Sequence, residues 1–414
     1  MLSRRQFMAT AGSIAATGFI PERSHVLRAM PGAESELGKV KITSVKTARV
    51  HLTRYDVPFV KIETDAGLYG IGEAYHKGPG AVLEHVHDIK RQVIGEDPLQ
   101  VDYLFQKMLE RGSGMDGLTG AMTGAIAGIE TALWDLAGKI LNVPVFVLLG
   151  GKFRDKLLVY HDTGAVRTTD TSEWIDQAQR SLDLGFKAIK FDLYRFEGEH
   201  WNRSLSQKDL NRWVRIMEAL REKLGPEFPL SVDLHWKFNT RDVLRFLDAV
   251  EHLNLWYLED PVPWLNADAM KRVTDASNVP ILTGENLYTR PMWQPFIEKQ
   301  ACDIIQPDTQ RCGGLLELKK IADWADLYYM PMSCHNGCSP LGAYASAHAC
   351  ASIRSFLALE SDSVEIPHWQ DLILRDGPVY VDGYVEVPNK PGIGVELNED
   401  VCRANLADGS GYFK

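Results

Sequence analysis

The sequence predicts an α/β protein in which a closed barrel of eight parallel strands follows a smaller α+β unit. Three observations carry that prediction. Between 157 and 360, short apolar runs of strand character alternate with amphipathic helical stretches at roughly 25-residue intervals. Before them, a Val/Ile/Thr-rich alternating stretch gives way to helical apolar spacing. Acids also gather where the strand candidates end, with Asp233, Glu259 and Glu285 following one another in steps of 26 residues.

The chain has 414 residues, 45% hydrophobic and 24% charged, a balance that suits a globular protein with a large core. A formal net charge of −10 without any long basic run argues against a nucleic-acid partner. It does not exclude an anionic small molecule, since local cations decide that. At the start, Ser3-Arg4-Arg5-Gln6-Phe7-Met8 and the small, apolar Ala9–Ile20 look like a twin-arginine export signal. Residues 1–38 are therefore set aside as a leader and the mature protein is expected in the periplasm. A disordered tail or a misassigned start, with a cytoplasmic protein, is the alternative. The apolar stretch falls short of the ~20 residues needed to cross a bilayer, and no membrane span is expected elsewhere.

From Lys39 to about Tyr69 the alternation, broken by Asp65-Ala66-Gly67, reads as an antiparallel hairpin or meander. Helical spacing follows in Val82, Val86, Ile89 and Val93, then in Ala125, Ile129, Ala132, Leu133 and Leu136. After Gly150-Gly151 the strand candidates are 157–161, 187–191, 229–233, 255–259, 280–284, 302–306, 328–333 and 356–360. Helical stretches such as Ser172–Leu184 and Lys208–Leu224 separate them. A doubly wound open sheet is the competing architecture, but no Gly-x-Gly-x-x-Gly follows any strand. The tail from about Gly377 is expected to return onto the first unit. The division is thus 39–155 with 377–414 as a cap, and 156–376 as the barrel. Cys302, Cys312, Cys334, Cys338, Cys350 and Cys402 form no Cys-x-x-Cys pair, which argues against a zinc ribbon or thioredoxin-type centre, and buried thiols are expected.

Parallel barrels place their active sites at the C-terminal ends of the strands. Those ends carry Lys190 and Asp192, Asp233 and His235, Glu259, Glu285, Asp308, His335 and Glu360. One Asp at a strand end is ordinarily the N-cap of the next helix. Three evenly spaced acids with two histidines ask for more. Their mutual repulsion calls for a hard divalent cation, and all-oxygen ligands suit Mg²⁺. Asp308 and His335 fall on adjacent strands, so the carboxylate can fix one ring nitrogen and leave the other as a base near neutral pH. His235 lies two residues beyond Asp233, on the same side of the strand, where it can donate a proton; a plain rim residue is the other reading. Asp192 stands beside Lys190 without an assigned role.

These residues sit among larger motifs: Ile129-Glu-Thr-Ala-Leu-Trp-Asp-Leu-Ala-Gly-Lys139, Leu148-Leu-Gly-Gly151, Leu258-Glu-Asp-Pro261, Gly284-Glu-Asn286 and Gln306-Pro-Asp-Thr-Gln-Arg-Cys-Gly-Gly314. From Lys39 to about Val387 the chain resembles the mandelate racemase subgroup of the enolase superfamily. The resemblance implies a modified TIM barrel, (β/α)7β, under an α+β capping domain. It implies Mg²⁺ on Asp233, Glu259 and Glu285, an Asp308–His335 dyad, an acid at Glu360 that hydrogen-bonds the enolate, and a homo-oligomer. Asp233-Leu-His235, Tyr288-Thr-Arg290 and Ser339-Pro-Leu-Gly-Ala343 are most similar to the galactonate dehydratases, where the histidine of Asp-x-His is the general acid.

The implied activity is that of a hydro-lyase. His335 takes the proton α to the carboxylate of an aldonate, Lys190 and Glu360 help to stabilise the enediolate, and His235 protonates the departing β-hydroxyl. A 2-keto-3-deoxy acid results. An epimerase, racemase or cycloisomerase using the same proton abstraction is the alternative, and a catalytically silent sugar-acid binding protein a more distant one. The racemases carry Lys-x-Lys on the second strand, whereas this chain has Lys190-Phe-Asp192, which argues against racemisation through two bases. A zinc hydrolase would want His-x-His at a strand end, and none is present.

Overall fold

The alternating stretch from Lys39 forms three strands in the computed structural model, β1 (Ile42–His51), β2 (Asp56–Thr64) and β3 (Tyr69–Glu73). They pair as an antiparallel meander in the order β1-β2-β3. The structure describes residues 38–75, 77–113, 119–193 and 203–414. The twin-arginine segment lies outside the described residues. One face of the meander is apolar, and helices Pro79–Ile89, Val101–Ser113 and Gly120–Leu141 cover it. Ile42, Val60 and Ile62 meet Val82, Val86, Ile129 and Leu133 there in a core of their own.

Eight parallel strands follow: β4 (Lys156–Ala165), β5 (Ile189–Asp192), β6 (Leu230–Asp233), β7 (Leu258–Glu259), β8 (Ile281–Thr283), β9 (Ile304–Ile305), β10 (Met332–Cys334) and β11 (Phe356–Ser361). Each hydrogen-bonds to the next, and β11 closes the ring onto β4 through the pairs Leu359–Val159 and Glu360–Tyr160. An α-helix follows every strand from β4 to β10, but a single 3₁₀ turn, Gln370–Leu372, comes after β11. The barrel is therefore (β/α)7β. Beyond it come β12 (Ile373–Leu374), β13 (Tyr384–Glu386) and β14 (Glu396–Leu397). Strand β13 adds antiparallel to β4, and β12 pairs with β14. Further on, His51 donates its backbone N–H to the Asn405 carbonyl at 2.7 Å.

Short polar caps start most of the barrel helices. The side chains of Asp170, Ser206, Asn239 and Asn266 each accept a backbone N–H from the first turn they precede. One expected strand begins late. Its residues Tyr328–Met330 finish the preceding helix, with Tyr328 and Met330 both donating to the Ala325 carbonyl. Tyr329 sits at φ 60° and is 89% exposed, so the aromatic run there has no strand to belong to. All six cysteines are free and buried. Among the described residues no helix is long and apolar enough to cross a membrane.

The outer layer of the barrel is sealed by large side chains. Trp213, fully buried on helix Gln207–Leu224, makes edge contacts with Phe238 and Phe246 at ring-centroid distances of 5.2 and 5.6 Å. Trp213→Ala is expected to lower stability by about 3–5 kcal/mol through lost transfer energy and the cavity left behind. Denaturant titration reads this as a lower midpoint at unchanged slope, and an unchanged midpoint would contradict it.

Candidate active site

Strand register alone lines up part of the site. Asp192, Asp233 and Glu259 are direct neighbours across β5, β6 and β7. Lys190, one pleat back on β5 and 1% exposed, lies among their carboxylates. Its Nζ is 2.9 Å from Glu259 Oε2, 2.8 Å from Glu360 Oε1, 3.5 Å from Asp162 Oδ2 and 3.8 Å from Asp233 Oδ2. Burial opposes an ammonium here, but Asp162, Glu259 and Glu360 outweigh it and hold Lys190 well above its ordinary value. It is a fixed cation.

The acids around it divide by environment. Burial drives Glu360 up against the pull of Lys190 and His335, and Asp162 adds to the rise through its charge and a side-chain hydrogen bond. Burial pushes Asp162 up too, yet Lys190 and that hydrogen bond bring it down to about 2. Glu360 is thus pushed up beside an aspartate held low and an ammonium. Its Oε2 also accepts the Asn336 backbone N–H at 3.3 Å.

On the far strands, Asp308 and His335 form a parallel β-bridge, and His335 Nδ1 lies 2.5 Å from Asp308 Oδ2. Asp308 is also an N-cap: its Oδ1 accepts from the backbone of Gln310 at 2.6 Å and Arg311 at 3.2 Å. The structural and chemical readings of this aspartate therefore both apply. His335 Nε2 lies 2.7 Å from Glu285 Oε2 and 3.8 Å from Glu360 Oε2. Burial would lower the imidazole, but Glu360 and Glu285 raise it well above its usual range. The sequence pointed to a base near neutrality; the neighbouring acids, invisible to spacing, shift the ring upward. Glu285 is raised by burial but held well below the carboxylate range by Arg311 and His335. Arg311 Nη1 is 3.2 Å from Glu285 Oε1, and its guanidinium lies 4.8 Å from the Tyr75 ring.

His235 closes the other side. Its backbone N–H donates to Asp233 Oδ1 at 2.6 Å, and its Nδ1 is 3.4 Å from Asp233 Oδ2 and 3.8 Å from Asp192 Oδ1. His235 and Trp236 sit at φ 47° and 49°, and Asp260 at φ 43°, a left-handed conformation that L residues adopt only under constraint. Burial lowers His235 to about 4 despite the pull of Glu285, so it is neutral at pH 7 in this state.

The expected ligand set is only partly drawn together. Asp233 and Glu259 share Lys190, while Glu285 turns to His335 and Arg311. Among the described residues, the ligand atoms that close to within 4.8 Å of one another belong to Asp192, Asp233 and His235. The donors nevertheless fit a hard cation. Glu259 Oε1 is buried without a hydrogen-bond partner. Burial followed by Glu259 raises Asp233 well above the carboxylate range, and burial followed by Glu360 does the same to Glu259 once Lys190 is overcome. Crowded, desolvated carboxylates with an unused oxygen are what a divalent ion would satisfy.

Three charged neighbours escaped the sequence reading. Asp162 was missed because the first strand was expected to stop at 161, one residue short. Asp260, bonded to the Thr283 hydroxyl at 2.5 Å and raised by burial and Glu285 to about 7, is masked by its neighbour Glu259. Arg311 stands three residues after Asp308, a helical spacing that would have placed it beside the dyad.

Comparison with known proteins fits this geometry. Residues 36–150 match the family model described as the mandelate racemase/muconate lactonizing enzyme N-terminal domain, and 173–401 match the enolase C-terminal domain-like model. The chain belongs to this family. It is an enolase-superfamily enzyme. A D-xylonate dehydratase of Haloferax volcanii is 38% identical over 90% of each chain. A D-galactonate dehydratase of Variovorax paradoxus is 32% identical over 87% of this chain and 93% of its own. The crystal structure of a mandelate racemase/muconate lactonizing enzyme-like protein from Rubrobacter xylanophilus superposes with a TM-score of 0.85. That protein is 36% identical, over 90% of this chain and 99% of its own. The second barrel strand reads Lys190-Phe191-Asp192.

Proposed function

We propose that the protein is a Mg²⁺-dependent hydro-lyase that removes water from an aldonic acid to give a 2-keto-3-deoxy acid. One observation carries the reading: the His335 ring, tied through Nδ1 to Asp308 at 2.5 Å, directs Nε2 at the carboxylate cluster. Relatives named for xylonate and galactonate support an aldonate as the substrate class.

Asp233, Glu259 and Glu285 are the residues that would hold the metal, which when bound acts as a Lewis acid toward the substrate carboxylate. His335 acts as base once the charge on Glu285 is satisfied, and its Nε2 takes the proton from the carbon next to the carboxylate. The electron pair left behind passes to the carboxylate as an enediolate. Lys190 offers N–H donors to that charge from a fixed position, so little reorganisation is needed, and Glu360 adds an O–H donor when it is protonated and turned toward the substrate. His235 delivers a proton to the β-hydroxyl as its C–O bond breaks, releasing water and an enol that becomes the ketone. To do so it must first be protonated, and an incoming anion supplies the field that offsets its burial. Asp192 in place of a second lysine leaves no opposite-face base, which favours elimination over two-base racemisation.

Dialysis against a chelator is expected to abolish turnover and to lower the melting temperature, with Mg²⁺ restoring both. A rise in melting temperature with added Mg²⁺ reports binding independently of activity. Full turnover in the chelated protein would contradict the metal assignment.

A further inference from the structure

Two family motifs remain without a role in the chemistry, the segment around Glu130 and the Gly313-Gly314 pair. They meet. Glu130, on helix Gly120–Leu141 of the α+β layer, accepts the backbone N–H of Leu315 at 2.8 Å and of Leu316 at 3.0 Å. Those are the first residues of barrel helix Leu315–Asp326, which follows the segment carrying Asp308. Trp134 Nε1 donates to the same carboxylate at 2.6 Å. A Cβ on Gly314 would lie 2.1 Å from Glu130 Oε2, so the glycine clears the space this carboxylate occupies.

The same device recurs at the other half of the dyad. Glu73, at the end of β3, accepts the backbone N–H of Ser339 at 3.0 Å and of Gly342 at 3.1 Å, and the Ser339 hydroxyl as well. Ser339 is the N-cap of helix Pro340–Ala351, four residues after His335. A Cβ on Gly342 would lie 2.8 Å from Glu73 Oε2. A hydrogen bond between Thr309 and Ser346 at 2.9 Å joins the two anchored segments to each other. Each carboxylate is buried, sits at a helix N-terminus where the backbone dipole favours an anion, and comes from outside the barrel.

We propose that Glu73 and Glu130 are positioning residues through which the α+β layer fixes the distance and angle between Asp308 and His335. Burial raises both carboxyls, Glu130 to about 7, so each is kept in place by its donors and not by solvation. The inference rests on the reading of Asp308–His335 as the base dyad, and the test separates the two.

The experiment uses the full chain with Mg²⁺ and compares Glu73→Gln and Glu130→Gln with two milder changes, Ser339→Ala and Trp134→Phe. The first readout is turnover on an aldonate, split into kcat and KM. The second needs no substrate: the downfield proton signal of His335 Nδ1–H, identified by its loss in His335→Asn. Both Gln variants are expected to lower kcat by about 10²-fold with KM within about twofold, and to displace the His335 signal. A lower melting temperature with kcat and the signal unchanged would overturn the proposal and leave only a stabilising role. Should a Gln variant fail to fold, Ser339→Ala and Trp134→Phe decide by the same two readouts. Full turnover in His335→Asn would instead sink the dyad reading, and the signal would still decide whether the two carboxylates position the pair.

Discussion

His335→Asn is expected to lower kcat by about a thousandfold and to abolish exchange of the α-proton with solvent deuterium. The effect should be this large because no other described imidazole lies beside the Asp308 carboxylate. Lys190, a buried amine of the same cluster, is locked as an ammonium by Asp162, Glu259 and Glu360. The fold should persist. Asp308 keeps its two backbone donors, Gln310 and Arg311, and Glu285 keeps Arg311. An unchanged circular dichroism spectrum and an unchanged Mg²⁺-induced rise in melting temperature would accompany the loss. Retained exchange would mean that another group removes the proton.

His235→Asn should separate the two halves of the reaction. Keto-acid formation is expected to fall by about 10²–10³-fold, while α-proton exchange stays within about tenfold of wild type. In the proposed reaction proton removal depends on His335, whereas departure of the β-hydroxyl needs the donor assigned to His235. Asn is the appropriate replacement because position 235 sits at φ 47°, a region that asparagine tolerates better than most side chains. Its backbone N–H can still donate to Asp233, as His235 does at 2.6 Å, so the proposed ligand remains oriented. Exchange and elimination are measured in one D₂O incubation by proton NMR. If both activities disappear together, His235 serves in binding or metal retention and is not the acid.

Much of this was legible in the chain because two periodicities do not mix. Alternation near β1 to β3 and helix-length amphipathic stretches between short apolar runs leave few architectures. Strand ends were legible for the same reason, since Asp233, Glu259 and Glu285 each close a short apolar run. The protonation states were not. His235 and His335 are both strand-end histidines, yet burial lowers one to about 4 while Glu360 and Glu285 hold the other well above its usual range. Those differences come from summed fields in three dimensions, which spacing does not encode. Tyr328–Met330 misled for a local reason: aromatic residues of strand character finish a helix there because Met330 donates back to Ala325. Glu73 and Glu130 were illegible as anchors because their partners, Ser339 and Leu315, lie far along the chain.

The proposed chemistry requires that this site remove an α-proton and then expel water. The direct measurement is proton NMR of stereochemically defined aldonates, xylonate and galactonate among them, incubated with the protein and Mg²⁺ in D₂O. A 2-keto-3-deoxy acid carrying one deuterium at C3 is the predicted product. Deuterium at C2 of unchanged or epimerised substrate, with no keto acid from any aldonate, would contradict it.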